Sequence, residues 1–159
     1  MTEMTGTTPT TGGRIVVGVD DSEQAAAALR WALAEAQLRN ASVEVVHTWA
    51  PPMSALPFGA TLVVPADEEA IDAAAREHVG KLVEASAAEL GGTTPDVQVT
   101  ILPGTPAQAL VEVAEGADLL VVGSHGRTGF SRVVLGSVAM AAAQHATCPV
   151  VVLRTPHKD

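Results

Sequence analysis

This chain contains one cysteine, Cys148, so an intrachain disulfide is excluded and a reducing compartment is the natural reading. Basic residues are scarce as well. Nine Lys and Arg stand against eighteen Asp and Glu, and the formal charge of −9 disfavours a nonspecific nucleic-acid binder or an anionic-membrane binder. No stretch approaches the roughly twenty apolar residues of a membrane span. The segment from Met1 to Gly13 is rich in Thr and Gly and lacks both a basic n-region and an apolar h-region. It is expected to be a disordered leader, residues 1–13, ahead of one compact domain over 14–159 in a cytoplasmic protein. Two common nucleotide fingerprints are missing. Gly126-Arg127-Thr128 carries no lysine where a P-loop needs one, and no Gly-x-Gly-x-x-Gly follows the first strand. No His, Cys and carboxylate cluster has metal-site spacing.

What is present is apolar: 47% of 159 residues, enough for a sizeable core. Five β segments, Ile15 to Val19, Val43 to Thr48, Val97 to Leu102, Leu119 to Val122 and Val150 to Leu153, alternate with four helical ones. That alternation predicts an α/β fold, a three-layer, doubly wound open parallel sheet with helices on both faces. The first helix, from about Ser22 to Asn40, carries the stripe Ala25, Leu29, Ala32, Leu33, Ala36, with Ser22 as a plausible N-cap. A second runs from about Asp67 to Leu90, its acidic start suiting the helix dipole, and Gly91-Gly92 ends it. In a third, Thr105 caps and Pro106 takes the first position. The Pro-rich stretch from Ala50 to Pro65 reads as a loop without regular structure, and its length fits either a lid or a flexible insertion.

The chemistry concentrates after the fourth strand. Val122-Gly123-Ser124-His125-Gly126 is followed after nine residues by Gly136-Ser137, which opens an Ala-rich helix with Ser137 at or near its N-cap. Gly123, Gly126 and Gly129 allow positive φ and close approach of a ligand to the backbone, since no Cβ intervenes. The first turn of a helix leaves N–H groups unpaired at its positive end, so an anion there gains hydrogen bonds and charge complementarity together. Arg127 and Arg132 lie between the two glycine clusters, and either guanidinium can fork two phosphate oxygens. His125 reads as a solvated loop residue, His47 as a satisfied strand histidine, and Cys148 as a small hydrophobe.

The pattern Gly-x2-Gly-x9-Gly-Ser resembles the nucleotide-binding motif of the universal stress protein family. The resemblance extends from about Arg14 to Leu153 and includes Ile15-Val16-Val17-Gly18-Val19-Asp20-Asp21-Ser22, Val45-Val46-His47 and Cys148-Pro149-Val150-Val151-Val152. It implies the strand order 3-2-1-4-5, and the crevice at the carboxyl ends of strands one and four then brings Gly18, Val19 and Asp20 beside Gly123. By the same likeness Asp20 lies in the nucleoside part of the site and Thr48 meets adenine through its backbone. On the residues alone, Asp20 or Asp21 could simply cap the first helix. Val122, Gly123, Ser124, Gly126, Arg127, Gly136, Ser137 and Val138 would also bind the nucleotide, with Gly104 and Arg132 as further candidates. The ligand implied is ATP, with AMP or cyclic AMP as alternatives. Because the chain is acidic, a triphosphate would need backbone donors, arginine and Mg²⁺, the metal being held largely by phosphates and water.

The functional expectation is an ATP-binding regulator or sensor of the stress response. A slow ATPase or autophosphorylating protein is a second reading, with Ser124, Thr128, Ser131 or Ser137 as acceptors but no persuasive base. Fold analogy to flavoproteins and adenylating enzymes is a third, and a nucleotide-free dimeric interaction module a fourth. The apolar edge Val150 to Leu153 invites pairing with a second copy, and the resemblance also implies a homodimer through this strand. A valine at Gly123 is expected to abolish nucleotide binding while the sheet still folds, on the reading that this residue follows the strand.

Overall fold

The computed structural model describes residues 12–126 and 134–155. The elements run β1 (Arg14–Gly18), α1 (Glu23–Arg39), β2 (Ser42–Trp49), β3 (Met53–Ala55), β4 (Thr61–Val63), α2 (Glu68–Leu90), β5 (Val97–Pro103), α3 (Pro106–Val113), β6 (Leu119–Gly123), α4 (Ser137–His145) and β7 (Val150–Leu153). Five strands form a parallel sheet in the order β5-β2-β1-β6-β7, which is the expected 3-2-1-4-5 in the numbering of its five strands.

Continuous apolar runs form these strands because both sheet faces are covered. Ile15, Val17, Val43, Val45, Leu119 and Val121 point to one side, into the core under α1 and α2. Val16, Val46, Leu120 and Val122 point to the other, under α3 and α4. Helix α1 buries Ala25, Ala28, Leu29, Ala32, Leu33 and Ala36, a stripe at helical spacing whose alanines let the helix sit close to the sheet. Ser22 is its N-cap, the Oγ accepting from the Ala25 amide at 3.1 Å, and Asn40 closes it in the left-handed conformation. Asp67 caps α2 in the same way, accepting from Ala70 N at 3.0 Å. Gly91, at φ 67°, ends that helix.

Two expectations are corrected here. The stretch from Ala50 to Pro65 holds regular structure: β3 and β4 pair antiparallel around a single 3-10 turn at Pro57–Gly59. Every residue of both strands is exposed, so no alternation marks them, and the surrounding prolines mask the signal. Thr105 occupies the N-cap position of α3, but its side chain makes no capping hydrogen bond, and Pro106 alone supplies the local helix-start chemistry.

A polar tie crosses the amino ends of the central strands. Arg14 donates to Glu44 at 2.6 Å and to the carbonyls of Val113 and Glu115, while Thr100 Oγ1 donates to Glu44 at 2.8 Å. The Glu44 side chain is 14% exposed, so its removal leaves the Thr100 hydroxyl and one Arg14 donor without their partner in a poorly hydrated place. Glu44→Ala is expected to cost about 1–3 kcal/mol. At about 2–4 °C per kcal/mol for a chain of this size, a thermal melt should read a fall of several degrees, and Glu44→Gln should lose less.

Candidate functional site

A cavity of about 700 Å³ opens over the carboxyl ends of β1 and β6, where the winding of the sheet reverses. Its volume lies in the range typical of small-molecule sites. Gly18, Val19 and Asp20 line it from β1 and the turn that follows, and Thr48 from the end of β2. Val122, Gly123 and Gly126 line it from β6, and Gly136, Ser137 and Val138 from the start of α4. Gly104 lies on the far side, at φ 124°, a conformation that suits glycine, with open space where a Cβ would stand.

Ser124 is the one expected residue among those described that does not line the cavity. It is 4% exposed and turned into the fold, its amide donating to the Leu153 carbonyl at 2.8 Å and its own carbonyl accepting from Gly136 N at 2.8 Å. Arg127 and Arg132, together with Thr128, Gly129 and Ser131, lie outside the described residues.

The structure also reassigns what the glycines do. None of Gly18, Gly123, Gly126 and Gly136 adopts a positive φ. Each has a neighbour close to where a Cβ would stand. A Cβ on Gly18 would lie 2.5 Å from Leu110 Cδ1 of α3, and one on Gly126 would lie 2.9 Å from Asp20 Oδ2. One on Gly136 would lie 3.3 Å from both His125 Cα and the Ser124 carbonyl. At Gly123, the last residue of β6 rather than the first beyond it, a Cβ would lie 3.0 Å from Gln24 Cβ and 3.3 Å from the Gln24 backbone. These glycines let α1, α3 and the two halves of the motif close around the cavity.

Asp20 does not cap α1, a role that Ser22 fills. Its Oδ1 accepts from the Ser22 amide at 2.8 Å, which fixes the carboxylate at the cavity rim beside Gly126. The N-cap of α4 is Gly136, not Ser137, which is the first helical residue. Glycine offers no side-chain oxygen, so the head of α4 has no side-chain cap, and its first residues Ser137, Val138 and Ala139 line the cavity. His47 donates from Nδ1 to the Val19 carbonyl at 3.0 Å, as a satisfied strand histidine should. Burial pushes the Cys148 thiol above its ordinary range, which keeps it protonated at neutral pH.

Sequence reasoning missed the apolar wall and the polar residues Ser22, His47 and His125. Val46, Leu110, Leu135 and Ala139 line the cavity alongside Val122, converging from β2, α3, β6, α4 and the turn before α4, which no local pattern relates. His125 lines it too. Its Nδ1 lies 3.2 Å from Ser124 Oγ and its Nε2 contacts the Val134 carbonyl, so it is a bonded part of the rim rather than a solvated loop residue. Among the described residues no group of three His, Cys, Asp or Glu could hold a metal ion, and no helix is long and apolar enough to cross a membrane.

Comparison with known proteins agrees with this architecture. The model of the universal stress protein family matches residues 12–154. A universal stress protein of Mycolicibacterium smegmatis is 36% identical over 142 residues, covering 87% of this chain and 47% of that protein. One from Mycobacterium tuberculosis is 33% identical over 149 residues, covering 89% of this chain and 48% of that protein. The chain thus spans about half the length of the curated relatives it matches. Among solved structures, UspA of Lactobacillus plantarum superposes with a TM-score of 0.72 at 27% identity, covering 90% of this chain and 98% of that one. A universal stress protein solved in complex with cAMP superposes with a TM-score of 0.62 at 26% identity, covering 89% and 95%. With the sheet order, the switch-point cavity and the family match in agreement, the chain belongs to the universal stress protein family.

Proposed function

We propose that this chain binds an adenine nucleotide, ATP in the first instance, in the cavity over β1 and β6, and acts as a regulator rather than as a dedicated catalyst. The observation that carries the reading is the convergence of two unlike surfaces on one cavity. One is the apolar wall of Val46, Leu110, Val122 and Leu135, suited to a planar base. The other is the head of α4, whose N–H groups lack a side-chain cap and suit a phosphate. Asp20 sits at the rim, where a carboxylate can accept from ribose hydroxyls or from the adenine amino group. The relative solved with cAMP supports an adenine nucleotide as the ligand class.

A regulator fits better than an ATPase because, among the described residues, the hydroxyl that a histidine nitrogen faces, Ser124 Oγ, is buried and does not line the cavity. His125, the histidine nearest the glycine motif, has both ring nitrogens engaged by Ser124 and Val134. Mg²⁺ would enter with the phosphates and water. Strand β7 lies at the end of the sheet and pairs on one side with β6, so its other edge is offered to a second copy in a homodimer. The lone protonated thiol fits a reducing cytoplasm.

Calorimetric titration of nucleotide-stripped protein with ATP, AMP and cyclic AMP, with and without Mg²⁺, tests this. Saturable binding near one nucleotide per chain is expected. The absence of binding by all three would overturn the site and leave the interaction-module reading. Light scattering on the same sample tests the dimer by its mass.

A further inference from the structure

We propose that His125 is a positioning residue for ligand binding, a clamp that holds the two halves of the glycine motif at the spacing the cavity needs; this rests on the nucleotide reading above. The argument begins with what an imidazole can do. A neutral ring has one donor and one acceptor nitrogen, and its partners decide which is which. The Val134 carbonyl can only accept, so Nε2 carries the proton and donates to it. Nδ1 is then the acceptor, 3.2 Å from the Ser124 hydroxyl, which donates.

One ring therefore joins the turn after β6 to a residue nine positions further on, two before the N-cap of α4. A second tie runs parallel to it, Gly136 N donating to the Ser124 carbonyl at 2.8 Å. The absence of a side chain at Gly136 lets the backbones approach, since a Cβ there would lie 3.3 Å from His125 Cα. The backbone bond fixes how close the halves come. The imidazole adds a second point of attachment at Val134, another residue lining the cavity, and two ties fix an angle where one cannot. Without the ring, the backbone tie at Gly136 and the packing of Leu135 against the core under α3 and α4 remain among the described residues, and the head of α4 is held less firmly for the ligand. Binding must then order it at an entropic cost that the clamped chain has already met.

Three variants and one spectrum test this. His125→Phe keeps the ring's bulk and removes both hydrogen bonds, and His125→Ala removes bulk as well. His125→Gln restores an amide N–H near the position of Nε2. ATP affinity is expected to fall about tenfold in the Phe and Ala variants and to stay within about threefold of wild type in the Gln variant, a change of about 1.4 kcal/mol for each factor of ten. A loss of packing alone would spare Phe and penalise Gln, the reverse of this order. Nitrogen-15 spectra of the free wild-type protein should place the ring proton on Nε2. Unchanged affinity in the Phe variant, a Gln variant as weak as Phe, or a proton on Nδ1 would each overturn the clamp. If wild type binds no nucleotide, the binding reading fails, and with it the role of the clamp in binding, while the spectrum separately decides whether the ring bonds as described.

Discussion

Leu33→Ala is expected to destabilise the fold by about 3–4 kcal/mol, lowering the thermal midpoint by about 10 °C, which would be the largest stability effect among the changes considered. Leu33 is 0% exposed and lies on α1 in the core shared with Ile15, Val17, Val43 and Val45. Truncation removes apolar contacts and leaves a void, because the facing side chains stand on sheet strands hydrogen-bonded to neighbours on both sides and cannot collapse into it. Leu38, five residues further along the same helix, is the control. It is 83% exposed, so Leu38→Ala should change stability by no more than about 0.5 kcal/mol. Denaturant or thermal melts of the two variants side by side check the assignment of the buried face, and equal losses would show that α1 does not pack as described.

Gly123→Val is expected to reduce both stability and nucleotide affinity. Gly123 belongs to β6 rather than following it, so the sheet does not stay untouched as the sequence alone suggests. Gly123 closes β6 against the first turn of α1, and the nearest atoms to a new Cβ include the Gln24 backbone, which cannot swing aside as a side-chain tip can. Valine adds two further methyl groups to that contact, so the start of α1 must shift, at an overpacking cost of about 2–3 kcal/mol. That start carries Ser22 and Ala25, which line the cavity, and lies directly after Asp20, so the same shift disturbs the site. A fall in affinity of about a hundredfold, together with a lower thermal midpoint, is the expected pair of results. Lost binding at an unchanged midpoint would restore the simpler view that this glycine serves only the ligand. Unchanged values of both would remove Gly123 from the site.

Much of the architecture was legible in the chain because it rests on local periodicity. Ile15-Val16-Val17 and Leu119-Leu120-Val121-Val122 are apolar without alternation, and a strand can bury consecutive residues only between two helical layers. The α1 stripe followed from its spacing in the same way, with Ala28 added to it. The β3–β4 hairpin was not legible, since three-residue strands exposed on both faces carry no period for burial to imprint. The start of α4 was legible to within one residue, with Ser137 next to the cap Gly136. Ser137 has the favoured chemistry for an N-cap, but the bond from Gly136 N to the Ser124 carbonyl fixes which residue takes that place.

The sequence by itself determined the α/β class, the strand order through its likeness to the family, and the grouping of Gly18, Asp20, Thr48, Gly123 and Gly136 at one end of the sheet. Tertiary structure alone decided what each of them touches. A glycine in a sequence states that a side chain is unwelcome, but whether the obstacle is a ligand, a strained φ or a neighbouring helix depends on contacts such as Gly18 with Leu110 and Gly123 with Gln24. Those contacts join residues about a hundred positions apart, through the packing of α3 and α1 on a common sheet. The same holds for His125, whose role exists only once the chain returns to place the Val134 carbonyl within reach of its ring.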